Sequence, residues 1–199
     1  LVTVWSGPWS GVNAGVDDAP IALRGGHGES YTRVATGDFD GDGQVDLAVS
    51  EPGWSSERGR VRMVPGPLVS ADSRLERQNE AVSWDGLVDE ETAGAHLASI
   101  GDWDGDGAED LLVGLAGRAE LAWLREPLRG GALVLIQDRL VLGVEIGDGV
   151  SIAAGDVDGD GQRDVVLGVA MRSAVYVFLT PPAGRVGLDE ADLVIQGPS

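Results

Sequence analysis

Residues 37–50 read GDFDGDGQVDLAVS, and this acidic, glycine-rich stretch occurs twice more in the chain. The other copies are GDWDGDGAEDLLVG at 101–114 and GDVDGDGQRDVVLG at 155–168. The copies start at residues 37, 101 and 155, which are 64 and 54 residues apart. Recurrence of one segment at such intervals is typical of repeat architectures, in which each repeat is one supersecondary unit. The fold therefore has to be built from one unit used three times.

Each copy lies among short apolar runs that predict strands. An alternating run precedes each acidic loop, a β-prone run follows it directly, and two further runs complete the unit. These runs are 33–36, 45–49, 60–64 and 81–86 in the first unit, 97–100, 109–114, 120–124 and 131–138 in the second, and 151–154, 163–168, 174–178 and 191–197 in the third. No apolar stripe with a 3.6-residue period is long enough to predict a substantial helix, and 68–80 is only a modest helix or loop candidate. Four-stranded units of this kind predict an all-β fold of propeller blades.

The N-terminal stretch fits the same pattern as half a unit. Residues 2–8 resemble the third strand of a blade and 21–25 its fourth. We therefore expect one β-propeller-type domain over 1–199, with a partial blade at 1–28 and full repeats at 29–86, 87–148 and 149–199. Fourteen strands do not close a ring of four-stranded blades. The chain is thus expected to be part of a larger ring, to complete a ring by forming an oligomer, or to form a small irregular propeller.

Composition excludes several classes of function. The chain has 199 residues with 33 acidic and 14 basic side chains, all of the latter arginine, and a net charge of −19. This charge argues against nucleic-acid binding, which needs a basic face. No apolar run approaches the length of a membrane span. Because the chain has no cysteine, disulfides and thiolate metal sites are impossible.

The three loops share the pattern Asp-x-Asp-Gly-Asp-Gly-x-x-Asp, which places four carboxylates within nine residues. Such a cluster repels itself unless a cation lies among the carboxylates. Oxygen-only ligands in a flexible loop fit Ca²⁺ better than Mg²⁺, and no His or Cys lies nearby to favour zinc or copper. We therefore expect three Ca²⁺ per chain. The expected ligands are the side chains of Asp38, Asp40, Asp42 and Asp46, of Asp102, Asp104, Asp106 and Asp110, and of Asp156, Asp158, Asp160 and Asp164, with the backbone carbonyls of Gln44, Ala108 and Gln162.

The EF-hand is the obvious alternative, and the sequence excludes it. An EF-hand requires a bidentate Glu at position 12 and helices on both sides of the loop. Position 12 is occupied here by Val49, Val113 and Leu167, each inside an apolar run that predicts a strand. The ninth-position Asp is therefore expected to supply the closing ligand.

These segments resemble the FG-GAP repeats of the integrin alpha-chain N-terminal β-propeller and its bacterial relatives, over nearly the whole chain. The third copy matches best, with Gly149, Ser151, Gly155-Asp156 and Gly168 in the expected places. The residues after which the FG-GAP repeat is named are replaced, apart from one proline. Phe is usual at the places held here by Asp148, Ser30 and Gly94, and only Ser50-Glu51-Pro52 keeps the proline. The resemblance implies that the loops connect the first and second strands of a blade, and that seven blades commonly complete the ring.

We expect a calcium-binding, non-catalytic module that mediates adhesion or protein binding, with an extracellular, cell-surface or periplasmic location because calcium is abundant there. Its expected partner is a protein or cell-surface ligand, or another copy of the chain through open sheet edges. Two alternatives remain: an accessory glycan- or polymer-binding propeller of a secreted enzyme, and a purely structural repeat that binds itself. No enzyme motif is present, and the two histidines, His27 and His96, are expected to be a loop residue and a packing residue.

The remaining features give weaker expectations. Among the six tryptophans, Trp103 is expected to lie between blades and Trp84 to pack within a sheet. Trp54 fits an exposed ligand contact or a buried loop anchor equally well. Asp89, Glu90 and Glu91 are expected to form a solvated acidic face.

Overall fold

The computed structural model describes residues 2–4, 21–23, 33–67, 82–86, 88–129, 131–132, 139–141 and 149–197. Its strands are β1 Val2–Val4, β2 Ile21–Leu23, β3 Arg33–Gly37, β4 Asp46–Glu51, β5 Arg60–Val64, β6 Val82–Asp85, β7 Ala93–Gly101, β8 Asp110–Leu115, β9 Glu120–Leu124, β10 Gly131–Ala132, β11 Arg139–Val141, β12 Val150–Gly155, β13 Asp164–Val169, β14 Ala174–Phe178, β15 Arg185–Gly187 and β16 Leu193–Gln196. Among these residues, helical structure is confined to α1 Trp54–Glu57 and the 3₁₀ turns Ala116–Arg118, Pro127–Arg129, Ala170–Arg172 and Leu188–Glu190. Within these ranges no helix is long and apolar enough to cross a bilayer. The all-β class predicted from the sequence is confirmed.

Three antiparallel four-stranded sheets form the body of the structure, and we call each of them a blade. The first blade is β3-β4-β5-β6, the second is β7-β8-β9-β11 and the third is β12-β13-β14-β16. In each blade every strand pairs with the next strand of the same blade, in a meander from one edge to the other. The strands β1 and β2 form a separate antiparallel pair ahead of the first blade. The division of the chain at 28, 86 and 148 remains a prediction.

The blades pack face to face through two apolar cores. Because successive side chains point to opposite faces of a strand, the middle blade contributes alternate residues to each core. Leu111, Val113 and Leu115 of β8 lie in the core shared with the first blade, whereas Leu112 lies in the core shared with the third. A strand buried on both faces needs a continuous apolar run, which explains the sequence DLLVGL of β8.

Tryptophans occupy the interfaces between blades. Trp103 is buried in the second core, as the sequence predicted, with its ring centroid 5.0 Å from that of Trp123 and a tilt of 58°. Trp84 of β6 is also buried, and its indole N–H donates to the Pro127 carbonyl oxygen of the second blade at 2.6 Å. These contacts bind neighbouring blades through both apolar area and a buried hydrogen bond.

Both pairs of neighbouring blades are also joined by a short parallel strand. β10 comes from the second repeat but pairs in parallel with β6 of the first blade, and β15 of the third repeat pairs in parallel with β11 of the second. The prediction of one outer strand at 131–138 was therefore wrong. Residues 131–132 belong to the preceding sheet, the strand that pairs with β9 is Arg139–Val141, and 133–138 lie outside the described residues.

Candidate metal centre

The three acidic loops connect β3 to β4, β7 to β8 and β12 to β13, which are the first and second strands of each blade. At the base of each loop, the glycine before the first Asp pairs with the ninth-position Asp. These pairs are Gly37 with Asp46, Gly101 with Asp110 and Gly155 with Asp164. The antiparallel pairing closes each loop, so that the residues carrying its first and last carboxylates lie side by side at its base.

Each loop brings three carboxylates together, with one oxygen of each within 4.8 Å of the others. The groups are Asp38, Asp40 and Asp42 in the first loop, Asp102, Asp104 and Asp110 in the second, and Asp156, Asp158 and Asp164 in the third. The remaining sequence-predicted side chains, Asp46, Asp106 and Asp160, are outside these groups. The loops are therefore not identical, because the third carboxylate comes from position five in the first loop and from position nine in the other two.

The first Asp of each loop organises the turn around itself. One oxygen of its carboxylate accepts the backbone N–H of the second loop glycine, five residues later. These bonds join Gly43 to Asp38 at 2.8 Å, Gly107 to Asp102 at 3.0 Å and Gly161 to Asp156 at 3.0 Å. Each of the three glycines has a positive φ, between 85° and 96°, which disfavours a side chain. The pattern of alternating Asp and Gly thus wraps the backbone around the first carboxylate.

The fifth-position Asp fixes the far side of the loop. Its Oδ1 accepts the backbone N–H of the seventh residue, from Gln44 at 2.8 Å, Ala108 at 2.9 Å and Gln162 at 2.7 Å. In the first and third loops the glutamine amide also donates to the same carboxylate, at 3.1 Å and 3.0 Å. The seventh residue is therefore held beside the carboxylate group, as required if its carbonyl is to serve as a ligand.

The ninth-position Asp is the most buried carboxylate of each loop, at 1 %, 0 % and 1 % exposure for Asp46, Asp110 and Asp164. In all three loops its Oδ2 accepts the backbone N–H of the second loop residue. The donors are Phe39 at 2.8 Å, Trp103 at 2.8 Å and Val157 at 2.6 Å. Sequence reasoning assigned this Asp a ligand role alone, whereas the structure shows that it also clamps the start of the loop to the strand.

Burial perturbs these carboxylates. Desolvation raises the pKa of Asp110 to about 7, against the opposing effect of the Trp103 N–H and with a further increase from Asp104. Desolvation also raises the pKa of Asp46 and that of Asp104, to which the neighbouring Asp106 adds. Burial makes these carboxylates costly to ionise, and a nearby cation would stabilise their charged form.

The donor set fits a hard divalent cation. Oδ1 of Asp38 is buried and accepts no hydrogen bond from the described residues. A buried anionic oxygen without a partner is costly, and a cation among the carboxylates would remove that cost. All the side-chain donors are oxygens, as Ca²⁺ prefers, and the loops hold no nitrogen or sulfur ligand.

Comparison with known proteins agrees with this geometry. A family model for the FG-GAP repeat matches residues 30–62, and a model for the FG-GAP-like repeat matches residues 95–167. The chain belongs to the FG-GAP repeat proteins. It is also 30% identical over 196 residues to phosphatidylinositol-glycan-specific phospholipase D of Rattus norvegicus. That match covers 82% of this chain but only 22% of the relative, so the chain spans about a fifth of the relative's length.

The loops of this FG-GAP repeat protein also touch one another. The N–H of Glu109, at position eight of the second loop, donates to the backbone carbonyl of Asp38 in the first loop at 2.7 Å. Gly41 of the first loop lies so close to the second loop that a Cβ there would be 2.9 Å from the Gly107 carbonyl oxygen. A Cβ at Gly101, directly before the second loop, would likewise collide with the side chain of Arg163, at position eight of the third loop. The three candidate sites therefore form a row in contact.

Sequence reasoning missed the role of position eight. The residues there, Val45, Glu109 and Arg163, differ in charge and shape, whereas all four Asp positions are constant across the loops. That contrast was the available signal. Glu109 contacts the first loop and Arg163 contacts the glycine before the second loop, whereas Val45 is 64 % exposed.

The other residues singled out in the sequence are not part of the acidic loops. His96 is half-buried in β7, and His27 lies outside the described residues. Trp54 is partly buried in α1, with the Arg60 guanidinium carbon 3.6 Å from its ring centroid. The prediction of a solvated acidic face was wrong for Glu91, which is buried and forms an ion pair with Arg118 at 2.5 Å. FG-GAP repeat domains are generally non-catalytic.

Proposed function

We propose that this chain is a calcium-binding, non-catalytic propeller module that mediates adhesion or protein binding outside the cell or in the periplasm. The observation that carries the proposal is the convergence of three carboxylates in each of three loops, on a backbone that folds around them. Three Ca²⁺ ions would bring six positive charges and reduce the net charge from −19 to −13.

The role of the ion in this proposal is structural. Without a cation, each loop holds mutually repelling carboxylates at the point where the first two strands of a blade join. Because Ca²⁺ binds the folded loop and not the unfolded chain, its binding stabilises the fold by linkage. Extracellular calcium modules typically bind with a Kd of about 10⁻⁴ to 10⁻³ M, so sites of this kind fill where calcium is abundant, and this supports the proposed location.

Calcium titration of chelator-treated protein by calorimetry tests the proposal. We expect three sites per chain and much weaker binding of Mg²⁺, which prefers to retain its waters. Asp38→Ala, Asp102→Ala and Asp156→Ala should each remove one site, because each deletes the carboxylate around which a loop turns. Asp89→Ala, at an exposed carboxylate paired with Arg58, is the matched control and should leave the stoichiometry unchanged. Absence of calcium binding, or equal binding of Mg²⁺, would refute the proposal.

A second candidate function is supported by the relative named above, whose printed name is that of an enzyme. Because this chain matches only 22% of that protein, it could correspond to an accessory propeller that carries no chemistry and binds a glycan or polymer for an attached enzyme. Binding of the calcium-loaded chain to a glycan array would favour this role. Capture of a defined cell-surface protein, without glycan binding, would favour adhesion.

A further inference from the structure

The three candidate metal sites differ in the residue that lies beside them. In each blade the residue after the ninth-position Asp pairs with the last residue of the third strand; these pairs are Leu47 with Val64, Leu111 with Leu124 and Val165 with Phe178. The residue that follows the third strand is therefore equivalent in the three blades, and it is Pro65, Arg125 and Leu179 in turn. Only the second blade has a basic side chain at this position.

Arg125 contacts the second loop. Its Nη1 lies 3.6 Å from Oδ2 of Asp104, the third-position carboxylate of the second group. The side chain of Asp104 is 16 % exposed and that of Arg125 is 47 % exposed. Across the described residues, none of the other carboxylates in the three groups pairs with an arginine. The second group therefore has a cationic partner in the protein that the first and third groups lack in that part of the chain.

Trp123 of β9 holds the arginine beside the loop. The guanidinium carbon of Arg125 lies 4.2 Å from the centroid of the Trp123 ring, which is 1 % exposed in the core shared with the third blade. A cation over an aromatic face is attracted by the ring electrons. The equivalent residues, Met63 and Val177, offer no such ring. The second blade thus has both the arginine and an aromatic surface that retains it.

A guanidinium beside an ion-binding carboxylate has two opposite effects. Without metal, its positive charge offsets part of the repulsion among Asp102, Asp104 and Asp110. With Ca²⁺ present, the same charge repels the ion and competes with it for Asp104. The second loop should therefore depend less on calcium for its stability than the third loop does, and should bind calcium more weakly.

We propose that Arg125 sets the calcium affinity of the second site, by acting as a built-in counter-ion that makes this site fill after the third. The third site is the proper comparison, because its three grouped carboxylates come from the same loop positions as those of the second. At intermediate calcium concentrations the third loop holds its ion, whereas the second loop is stabilised by Arg125. The inference rests on the proposed calcium function, since a site that binds no calcium has no affinity to set.

Calorimetric calcium titration of Arg125→Gln tests the inference. This variant should keep three sites and bind one of them about fivefold more tightly than wild type, the upper range for a partly exposed ion pair. Arg58→Gln is the matched control, because it removes the same charge from an arginine of similar exposure, 43 %, that pairs with Asp89. It should leave all three affinities unchanged. Arg125→Lys keeps the charge and should bind calcium as wild type does.

A double variant identifies the site that changes. In an Asp102→Ala chain the second site is expected to be lost, so adding Arg125→Gln should leave the two remaining affinities unchanged. If Arg125→Gln instead tightens a site in that chain, or tightens none in a chain that still binds three ions, the inference is overturned and the proposed metal sites stand. Absence of any calcium binding would overturn both.

Urea denaturation gives a second readout that does not count ions. In chelator, Arg125→Gln should lower the free energy of unfolding more than Arg58→Gln does, because the second loop loses its counter-ion. In saturating calcium this loss should shrink by the same fivefold factor that the affinity gains, as linkage requires. Circular dichroism checks that each variant is folded. A loss of equal size with and without calcium would show that Arg125 does not act on the ion, and would overturn the inference.

Discussion

Asp110 offers the sharpest test of how the acidic loops are stabilised. It is fully buried, its Oδ2 accepts the Trp103 N–H at 2.8 Å, and burial raises its pKa from the usual 3.8 to about 7 in the absence of metal. Between these two pH values the folded chain holds a proton at Asp110 that the unfolded chain has lost. The free energy of unfolding of the metal-free protein must therefore fall as the pH rises through this window.

The size of the effect follows from the shift. A shift of about three units at about 1.4 kcal/mol per unit gives about 4 kcal/mol, present below pH 4 and lost by pH 7. Asp110→Asn is the matched variant, because the amide oxygen still accepts the Trp103 N–H but does not titrate. In chelator, wild type should lose up to about 4 kcal/mol relative to Asp110→Asn over this range. Carboxylates that do not interact with Asp110 titrate alike in both proteins and cancel in the difference, whereas Asp104 and Asp106 are coupled to Asp110 and contribute to it.

Urea denaturation at a series of pH values, with chelator present throughout, measures this difference. Asp89→Asn controls for the loss of one negative charge at the surface. Excess calcium should reverse the order of wild type and Asp110→Asn near neutral pH, because the ion then stabilises the charged carboxylate. A difference that is flat with pH in chelator would show that burial does not oppose ionisation of Asp110, and would refute the reasoning.

Three further predictions concern stability. Chelation should lower the melting temperature sharply, since each site held at a hundredfold excess of calcium over its Kd contributes about 2.7 kcal/mol, and magnesium should restore it poorly; an unchanged melt would contradict a structural role. Trp84→Phe removes the indole donor to the buried Pro127 carbonyl and should cost about 1–3 kcal/mol in urea denaturation; a cost near zero would mean that the bond contributes nothing. Gly41→Ala should destabilise more than Gly43→Ala by the same measurement, because both have a positive φ but only the first meets the Gly107 carbonyl, and equal losses would contradict the contact between loops.

The elements that the sequence predicted well are those with a local signal. The acidic loops have fixed spacing, and the strands beside them have apolar runs whose period and length identify them without tertiary information. The pairing of Gly37 with Asp46 follows directly from a loop between two such runs. Burial of Trp103 could also be predicted, because an aromatic in an otherwise polar loop needs an apolar neighbour.

The features that the sequence did not predict depend on contacts between repeats. Residues 131–132 leave their own blade for the preceding one, and nothing in their local sequence distinguishes the two choices. Burial of Glu91 depends on Arg118, which is distant along the chain. The clamp formed by the ninth-position Asp depends on how the loop folds back on its own first residues, which a list of potential ligands does not describe.

The exchange of short strands between neighbouring repeats has a consequence for cutting or recombining proteins of this kind. A boundary drawn between β6 and β7 yields a first sheet without β10, although all four of its own antiparallel strands are present. A boundary placed after Ala132 would leave that sheet whole and instead divide the second. Recombined or truncated versions should therefore fold best when residues 131–132 are kept together with β6. The smallest complete unit of the fold thus extends into the sequence of the following repeat.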